Sequence, residues 1–250
     1  MTTPFAMNSS QGKQILALVR DGDFAHAGEE EAIERAMASV PRQRAQRILD
    51  AGCGRGGTAA YLQRRGWGNA TGIDIEPQSI AYACETYPDV TFACCDIYDL
   101  AAHGPGDFDV ITLFNVLYAL PDQGGALRAL ASRAKAHARL VLFDYVDLGG
   151  YRSAPLIDAG TPFLPQPPPR SQLAAILEEG GWQLQSIDDL TSDYACWYEA
   201  LVSKIEAKRQ AIEALGGPGA CEHVLDRYSG LLAAIREGRL GGVVAHGARL

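Results

Sequence analysis

The apolar residues between positions 46 and 146 are concentrated in short strand-like runs, and the segments between these runs have helical spacing. Short, mostly apolar runs are typical of strands in a parallel sheet that is covered on both faces. Their alternation with helices predicts a doubly wound α/β fold that binds ligands at the carboxyl ends of its strands. Strands are predicted near 47–51, 70–75, 90–94, 108–114 and 138–145, and helices near 58–66, 77–86 and 122–135.

The segments on either side of this region are mainly helical in pattern. The clearest amphipathic run before it, residues 29–38, ends ahead of Pro41. We therefore predict a single domain over residues 1–250. Its predicted parts are an N-terminal helical lid (10–45), a cofactor-binding core (46–146), and a cap and substrate region (147–240) with a helical insertion at about 193–238. The elements predicted in the last region are helices near 171–180, 193–215 and 221–237 and strands near 182–188 and 241–246.

Residues 47–58, with the sequence R-I-L-D-A-G-C-G-R-G-G-T, predict a strand, a glycine turn and the start of a helix. Glycines such as Gly52 and Gly54 have no Cβ, so backbone amides can approach a bound ligand closely. Asp50 lies at the end of this strand, and Asp74 lies at the end of the next one. A carboxylate at the second position suits the two hydroxyls of a ribose. The segment therefore indicates a nucleoside-containing cofactor.

The glycines at 52–57 also satisfy the G-x-G-x-x-G pattern, so an NAD(P)-dependent oxidoreductase is one alternative. Other residues favour a different cofactor. Asp50 lies two residues before the first glycine, where a dinucleotide fold more usually has a small residue. Asp96 follows the third strand, and Asn115 follows the fourth.

Taken together, these segments resemble the class I S-adenosylmethionine-dependent methyltransferases over about residues 45–146. The resemblance implies a Rossmann-like, mostly parallel seven-stranded sheet with an antiparallel last strand and a helical cap. It also implies methylation of a small molecule, with S-adenosylmethionine as the donor and S-adenosylhomocysteine as the product. The matching segments, in the family's order and spacing, are 48–57, 72–75, 95–97 and 108–111.

The resemblance assigns a role to each strand end. Asp50 is expected to meet the ammonium group of the methionine end, and Asp74 the ribose hydroxyls. Asp96 is expected to accept the adenine amino group, or else to cap the helix that comes after it. Asn115 is either a ligand or a turn residue. The predicted cofactor-binding residues are Asp50, Gly52, Cys53, Gly54, Asp74, Ile75, Asp96, Ile97 and Asn115.

Residues 197–242 are similar to the C-terminal helical insertion of the phosphoethanolamine N-methyltransferase branch. Two departures argue against a phosphobase substrate. Ala119 stands where small-molecule members often have a histidine. The apolar stretch 231–233 stands where the phosphobase enzymes have a basic residue.

Three residues are candidates for a general base: Tyr118 and Tyr145, which follow the fourth and fifth strands, and His26, in a segment that can close over the cofactor. Both tyrosines are equally consistent with packing roles. An amine acceptor needs only to be neutral when it attacks, whereas a phenol or enol needs a base. We therefore favour N-methylation, with O- and C-methylation as alternatives.

The cap region contains aromatic and basic residues suited to a small acceptor. The aromatic rings can enclose a planar ring or face a cationic amine, and the arginines can hold an acidic group. Packing in the core is the alternative for each ring. The predicted substrate residues are Tyr151, Arg152, Arg170, Trp197, Tyr198 and Tyr228.

Composition limits the other functional classes. The net charge of −8 provides no chain-wide basic surface for nucleic acid. The six cysteines form no C-x-x-C pair, which favours a reduced, cytoplasmic protein, and the adjacent Cys94 and Cys95 are expected in the core. No secretion signal or membrane-spanning run is apparent, and no carboxylate spacing predicts a metal site. A non-catalytic cofactor-binding scaffold or sensor remains an alternative function. No pattern predicts the oligomeric state.

Overall fold

The computed structural model describes residues 5–103 and 107–250. Its centre is a seven-stranded sheet with the strand order β3-β2-β1-β4-β5-β9-β8. A separate two-stranded hairpin lies in the segment after β5. The strands are β1 Arg47–Ala51, β2 Asn69–Asp74, β3 Thr91–Cys94, β4 Phe108–Phe114, β5 Ala134–Asp147, β6 Ile157–Asp158, β7 Thr161–Pro162, β8 Trp182–Asp189 and β9 Leu240–Arg249.

The sheet topology confirms the predicted fold class. Strands β1 to β5 pair in parallel, and β9, the last strand, is antiparallel to both of its neighbours, β5 and β8. From β1 the chain builds the sheet outward through β2 and β3, and then returns to add β4 on the other side of β1. The carboxyl ends of β1 and β4 therefore flank the topological switch point, where folds of this class bind ligands.

The helices begin and end at residues suited to those positions. Ser9 caps α1 by accepting a hydrogen bond from the Gly12 amide at 3.3 Å, and Asp122 caps α6 through Gly125 at 2.8 Å. Pro77 starts α4, where its missing N–H costs nothing. The helices are α1 Ser10–Arg20, α2 Glu29–Ala36, α3 Gly57–Arg64, α4 Pro77–Thr86, α5 Leu100–His103, α6 Gln123–Ala131, α7 Leu173–Glu179, α8 Thr191–Ala207, α9 Arg209–Gly216 and α10 Ala220–Arg236.

Two apolar clusters cover the two faces of the sheet. The larger joins α1, α2, α3 and the α8–α10 helices to one face, and the smaller joins α5, α6 and α7 to the other. Trp182 is fully buried in the smaller cluster, and its indole N–H donates to the Leu127 carbonyl at 3.1 Å. Because the N-terminal helices and α8–α10 share one cluster, the predicted lid and the predicted insertion pack on the same side of the sheet.

Three details differ from the sequence-based expectations. The helix predicted near 193–215 is broken at Lys208, whose Nζ donates to the Leu18 carbonyl at 2.8 Å and pairs with Asp21 at the end of α1. The β6–β7 hairpin was not predicted. The expectation that Cys94 lies in the core was wrong, since Cys94 is exposed on the edge strand β3, whereas Cys95 is half-buried and packs against the smaller cluster.

Candidate active site

Asp50 lies at the switch point, at the end of β1, and is 2% exposed. Its Oδ1 accepts a hydrogen bond from the Thr112 hydroxyl of β4 at 3.0 Å. Its Oδ2 has no hydrogen-bond partner among the described residues. Burial raises the pKa of this carboxyl to about 7, although the Thr112 hydrogen bond opposes the shift. A buried carboxylate with an unpartnered oxygen is suited to a ligand that brings its own positive charge.

The glycine turn next to Asp50 has a backbone conformation that residues other than glycine rarely adopt. Gly52 has φ of +77° and Gly54 has φ of +52°, both in the region that disfavours side chains. The amides of Gly52 and Cys53 both donate to the Ile73 carbonyl at 2.8 Å, which fixes the turn against β2. Above Gly54 the nearest atom to an added Cβ would be 3.9 Å away, on Ala25, so the turn has an open side. Burial raises the pKa of the Cys53 thiol, so the thiol is neutral and this residue contributes its backbone.

Asp74 joins the end of β2 to the same turn. Its Oδ2 accepts from the Gly54 amide at 2.8 Å, and its Oδ1 accepts from the Glu76 amide at 2.9 Å. Each carboxylate oxygen has a further lone pair, so Asp74 retains the capacity to accept hydroxyl groups. The next residue, Ile75, is 66% exposed, which is unusual for an isoleucine and leaves an apolar surface beside the carboxylate.

The ends of β3 and β4 complete the edge of the site. Asp96 uses its Oδ1 to cap a short 3-10 helix by accepting from the Tyr98 amide at 3.0 Å, and its Oδ2 has no hydrogen-bond partner among the described residues. The structure is therefore consistent with both roles considered for Asp96. Ile97 is 7% exposed and packs in the core. Asn115 has φ of +56°, and its Oδ1 accepts from the Tyr194 hydroxyl of α8 at 2.9 Å.

These features fit the donor implied by the sequence. The unpartnered Oδ2 of Asp50 suits the ammonium group of S-adenosylmethionine, and the glycine turn beside it is open on one side at Gly54. Asp74 suits the ribose, and the exposed Ile75 suits one face of the adenine ring.

The loop between α1 and α2 is fastened over the glycine turn. Arg55 Nε donates to Asp23 Oδ1 at 2.7 Å, and the Arg55 guanidinium lies 3.4 Å from the centre of the Tyr82 ring. The Tyr87 hydroxyl donates to Asp23 Oδ2 at 2.8 Å. A Cβ at Gly57 would lie 2.5 Å from the Asp23 carbonyl, so this close approach requires glycine. Sequence reasoning missed all of these contacts.

Helix α1 also reaches across to the residues that come after β2. Lys13 Nζ pairs with Glu76 Oε2 at 2.5 Å, two residues after Asp74. A cavity of about 20 Å³ remains between this helix and the glycine turn. Its lining residues are Lys13, Leu16, Ala17, Asp23, Phe24, Ala25, Gly54 and Arg55.

The structure argues against His26 as a general base. The side chain is 1% exposed, with Nδ1 3.1 Å from the Ala27 carbonyl and Nε2 3.1 Å from the Thr58 hydroxyl. The carbonyl requires a proton on Nδ1, so the Nε2 lone pair is taken up by Thr58. Burial lowers the pKa of His26 to about 3, which keeps the ring neutral. His26 therefore fastens the loop to α3 and has no lone pair free for a substrate proton.

Six tyrosines gather beside the ends of β4 and β5, and we call them the tyrosine cluster. The Tyr145 and Tyr198 hydroxyls hydrogen-bond each other, and the rings of Tyr198 and Tyr228 stack with centres 6.0 Å apart. Tyr118 meets Tyr145 edge-on at 5.2 Å. The members are Tyr118, Tyr145, Tyr151, Tyr194, Tyr198 and Tyr228.

The structure also argues against Tyr118 and Tyr145 as bases. Burial raises the pKa of both hydroxyls far above the ordinary tyrosine value, and the carboxylate of Asp144 adds to the shift at Tyr118. Both side chains are therefore neutral phenols near pH 7. They can donate hydrogen bonds to an acceptor molecule, but they cannot remove its proton.

Asp144, on β5, holds the loop that comes after β4. Its Oδ2 accepts from the amides of Val116 and Leu117 at 3.0 and 2.7 Å, and its Oδ1 accepts from the Tyr145 amide at 2.7 Å. Burial raises its pKa to about 7 despite these hydrogen bonds. Asp144 thus positions both Tyr145 and the loop that carries Tyr118.

One cation lies against the tyrosine cluster, and sequence reasoning missed it. Arg20, the last residue of α1, is 4% exposed, and its charge acts on Tyr145, Tyr198 and Tyr228. The sequence carried a signal for this burial. Arg20 lies four residues after Leu16, which places it on the apolar face of α1.

The predicted arginines occupy other places. Arg152 is exposed and Arg170 is half-buried, and neither side chain forms a hydrogen bond or ion pair with any part of the chain that the structure describes. Trp197 is half-buried, and its ring lies 5.8 Å from Tyr194 and covers Gly28, where a Cβ would come within 2.6 Å of it. The predicted aromatic residues thus come together, whereas the arginines do not join them.

Two further observations concern residues 5–103 and 107–250. These residues contain no group of three or more histidine, cysteine, aspartate and glutamate side chains placed to hold a metal ion. They also contain no helix that is both long and apolar enough to cross a bilayer.

Comparison with known proteins identifies the family. Residues 24–187 match the sequence profile described as a methyltransferase domain. A ubiquinone biosynthesis O-methyltransferase from Xanthomonas euvesicatoria pv. vesicatoria (strain 85-10) is 31% identical over 157 residues, which are 58% of this chain and 65% of that protein. The aligned part is thus just under two thirds of the relative's length.

Solved structures support the fold. Phosphoethanolamine N-methyltransferase 2 of Haemonchus contortus, in complex with phosphomonomethylethanolamine and S-adenosylhomocysteine, superposes with a TM-score of 0.83 at 16% identity, covering 96% of this chain and 57% of that one. The [4+2]-cyclase SpnF superposes with a TM-score of 0.76 at 18% identity, covering 98% of both chains. The chain therefore belongs to the methyltransferase domain family, and its domain is an S-adenosylmethionine-dependent methyltransferase with the class I fold.

Proposed function

We propose that the protein transfers a methyl group to a small molecule bound at the tyrosine cluster. The main support is the hydrogen bond between Asn115 and Tyr194, which connects the edge of the cofactor site to the cluster. An acceptor at the cluster would therefore lie next to the carboxyl ends of β1 and β4. On this proposal the cofactor residues are those predicted from the sequence, with Asp50 and Asp74 as the charged contacts.

The chemistry required of the protein is mainly alignment. When bound, the donor supplies an electrophilic methyl group on a sulfonium centre. Asp50 would bind the methionine end of the donor. Asp144 holds in place the loop after β4, which carries Tyr118. Correct placement of two reactants lowers the barrier by several kcal/mol without any covalent intermediate. The loop that Asp23 fastens over the glycine turn would exclude water from the site.

The acceptor atom is proposed to be nitrogen. None of the three predicted bases is able to take a proton: His26 is fully engaged, and Tyr118 and Tyr145 are neutral phenols. A neutral amine can attack without a base. Oxygen is the second candidate, because the curated relative is an O-methyltransferase by name.

The division of labour along the chain is also a proposal. Residues 10–45 would form the lid, because α1 and the loop after it contact Glu76 and Arg55 beside the cofactor site. The helices α8 and α10 would form the cap, because they carry Tyr194, Tyr198 and Tyr228 of the cluster. The proposed lid and the proposed cap both pack on the cofactor-binding core as parts of a single domain.

A labelled-methyl assay tests the function. The protein is incubated with S-adenosylmethionine that carries an isotopic methyl label and with separate panels of primary amines and phenols. We expect the unaltered protein to transfer the labelled methyl group to one or more amines. We expect the Asp50→Asn variant to transfer none. Label only in phenols would establish O-methylation instead. Absence of transfer to any acceptor by a protein that binds S-adenosylhomocysteine would favour the scaffold or sensor alternative.

A further inference from the structure

Arg20 is a buried cation whose side chain hydrogen-bonds Tyr198 and Tyr228 but leaves part of its donor capacity unused. It is 4% exposed, and its Nε and Nη1 have no hydrogen-bond partner among the described residues. These two atoms carry three N–H groups between them. Leaving a buried charged donor without a partner costs free energy, so such a group calls for a partner such as a ligand, an ion or a water molecule.

The acidic residue nearest to Arg20 does not satisfy it. Glu29 Oε1 lies 3.7 Å from Arg20 Nη1, which is within reach for an ion pair but too long for a hydrogen bond. The same oxygen lies 3.9 Å from Lys204 Nζ, so Glu29 is shared between two cations. The group of Arg20, Lys204 and Glu29 therefore carries one net positive charge.

The hydroxyl groups around Arg20 provide additional donors. Burial raises the pKa of Tyr198 and Tyr228, and the charge of Arg20 opposes that rise at both. Tyr145, whose hydroxyl bonds that of Tyr198, also interacts with Arg20. A guanidinium flanked by neutral phenol groups is an arrangement of hydrogen-bond donors that suits an oxyanion.

We propose that Arg20, together with the hydroxyls of Tyr198 and Tyr228, binds a carboxylate or phosphate group of the methyl acceptor. This inference rests on the proposed function, because it places the anion at the tyrosine cluster, where the acceptor is proposed to bind. It narrows the acceptor to a small molecule with both a nucleophile and an anionic group. It also assigns to Arg20 the role that the sequence had suggested for Arg152 and Arg170.

The competing interpretation is a purely structural ion pair. In that case Arg20 would be present to neutralise Glu29, and no external anion would bind to it. The two interpretations predict different results for the variant Glu29→Gln, which removes the negative charge. Glu29→Gln should increase anion affinity if Glu29 competes for Arg20, and it should leave anion affinity unchanged if Arg20 binds no ligand.

The test measures binding and requires no turnover. The protein is saturated with S-adenosylhomocysteine, and benzoate, phenyl phosphate and the neutral isostere benzamide are titrated by calorimetry. We expect benzoate or phenyl phosphate to bind and benzamide not to, and the anion that binds more tightly identifies the preferred group. Arg20→Met should weaken anion binding at least about tenfold while the affinity for S-adenosylhomocysteine stays within about twofold.

Several outcomes would overturn the proposal. These are anion binding that is unchanged in Arg20→Met, equal binding of benzoate and benzamide, and no binding of either anion. If Arg20→Met fails to fold, Glu29→Gln decides the question, because its pocket keeps Arg20 intact. Failure of the methyl-transfer assay would be a separate result, since these titrations depend only on the acceptor pocket.

Discussion

Asp50 shows how the burial of one side chain can couple ligand binding to pH. Its pKa of about 7 applies to the protein without ligand, and burial is the main cause. A bound ammonium group would favour the ionised form and lower that pKa, so binding would release a proton whenever Asp50 starts out protonated. Affinity should therefore be constant above about pH 7 and fall at lower pH.

The first prediction concerns this pH dependence. The affinity for S-adenosylhomocysteine, measured by calorimetry between pH 5 and 8.5, should weaken by about tenfold per pH unit below pH 7. Asp50→Asn should bind more weakly at pH 8 and show little of this dependence. Thr112→Val is the matched control, because it removes the hydrogen bond that lowers the pKa and should move the midpoint to higher pH. A flat profile for the unaltered protein would contradict the role given to Asp50.

The second prediction separates the hydroxyl of Tyr198 from its ring. Tyr198 is 1% exposed, so Tyr198→Ala should destabilise the fold by about 3–5 kcal/mol, as for other buried aromatic residues. Tyr198→Phe keeps the ring and loses only the hydroxyl. We expect Tyr198→Phe to raise KM for the acceptor with a small change in Tm and in S-adenosylhomocysteine affinity. An unchanged KM would indicate that Tyr198 serves packing alone.

Single residues also show how far a sequence can specify a site. Asp50 and Asp74 were predicted correctly as strand-end carboxylates because their position follows from local pattern. The roles of His26 and Arg20 depend on contacts far away in the chain. His26 is engaged by Thr58, and Arg20 is enclosed by residues of α8 and α10, roughly 180 to 210 positions later. No local pattern specifies those partners.

At the scale of elements, the N-terminal segment depends on contacts that hold it to the core. Asp23 contacts Arg55, Tyr82 and Tyr87, and Lys13 contacts Glu76. The cavity left between α1 and the glycine turn is only about 20 Å³, so the N-terminal segment packs closely against the cofactor site. We infer that it must move for the donor to enter and for the product to leave.

The third prediction tests this movement. Arg55→Met removes the ion pair with Asp23 and should increase the dissociation rate of S-adenosylhomocysteine several-fold, as measured by stopped-flow fluorescence. Arg128→Met is a matched control, because it removes the exposed ion pair with Glu179 between α6 and α7, which pack on the opposite face of the sheet from the lid. Exposed pairs contribute about 0–1 kcal/mol, so this control should change neither rate nor stability appreciably. Equal dissociation rates in the two variants would contradict the lid.

Secondary structure was predictable where one pattern dominated. The bounds of β1 and β4 agree with the sequence prediction because each is a short, mostly apolar segment that ends next to turn residues. The break between α8 and α9 was missed because it depends on Lys208 reaching back to the end of α1. The β6–β7 hairpin was missed because two-residue strands leave no periodicity to detect.

At the scale of the whole molecule, the sheet order places the predicted residues in one site. Four different strands each place one predicted residue at or just after their carboxyl ends: Asp50, Asp74, Asp96 and Asn115. The parallel pairing brings these four strand ends to one edge of the sheet. This part of the site was predictable, because it follows from topology. The tyrosine cluster with Arg20 was less predictable, because it is assembled from α1, the ends of β4 and β5, and the helices α8 and α10.

The central claim is that this edge binds the methyl donor through Asp50 and Asp74, and calorimetry at pH 8 tests it most directly. S-adenosylhomocysteine should bind the unaltered protein at one site, and NAD should not bind. Asp74→Ala removes two hydrogen bonds to a charged acceptor, so it should weaken S-adenosylhomocysteine binding by about 3 kcal/mol, or roughly 100-fold. Tight binding of NAD without binding of S-adenosylhomocysteine, or equal S-adenosylhomocysteine affinity in Asp74→Ala, would contradict the claim.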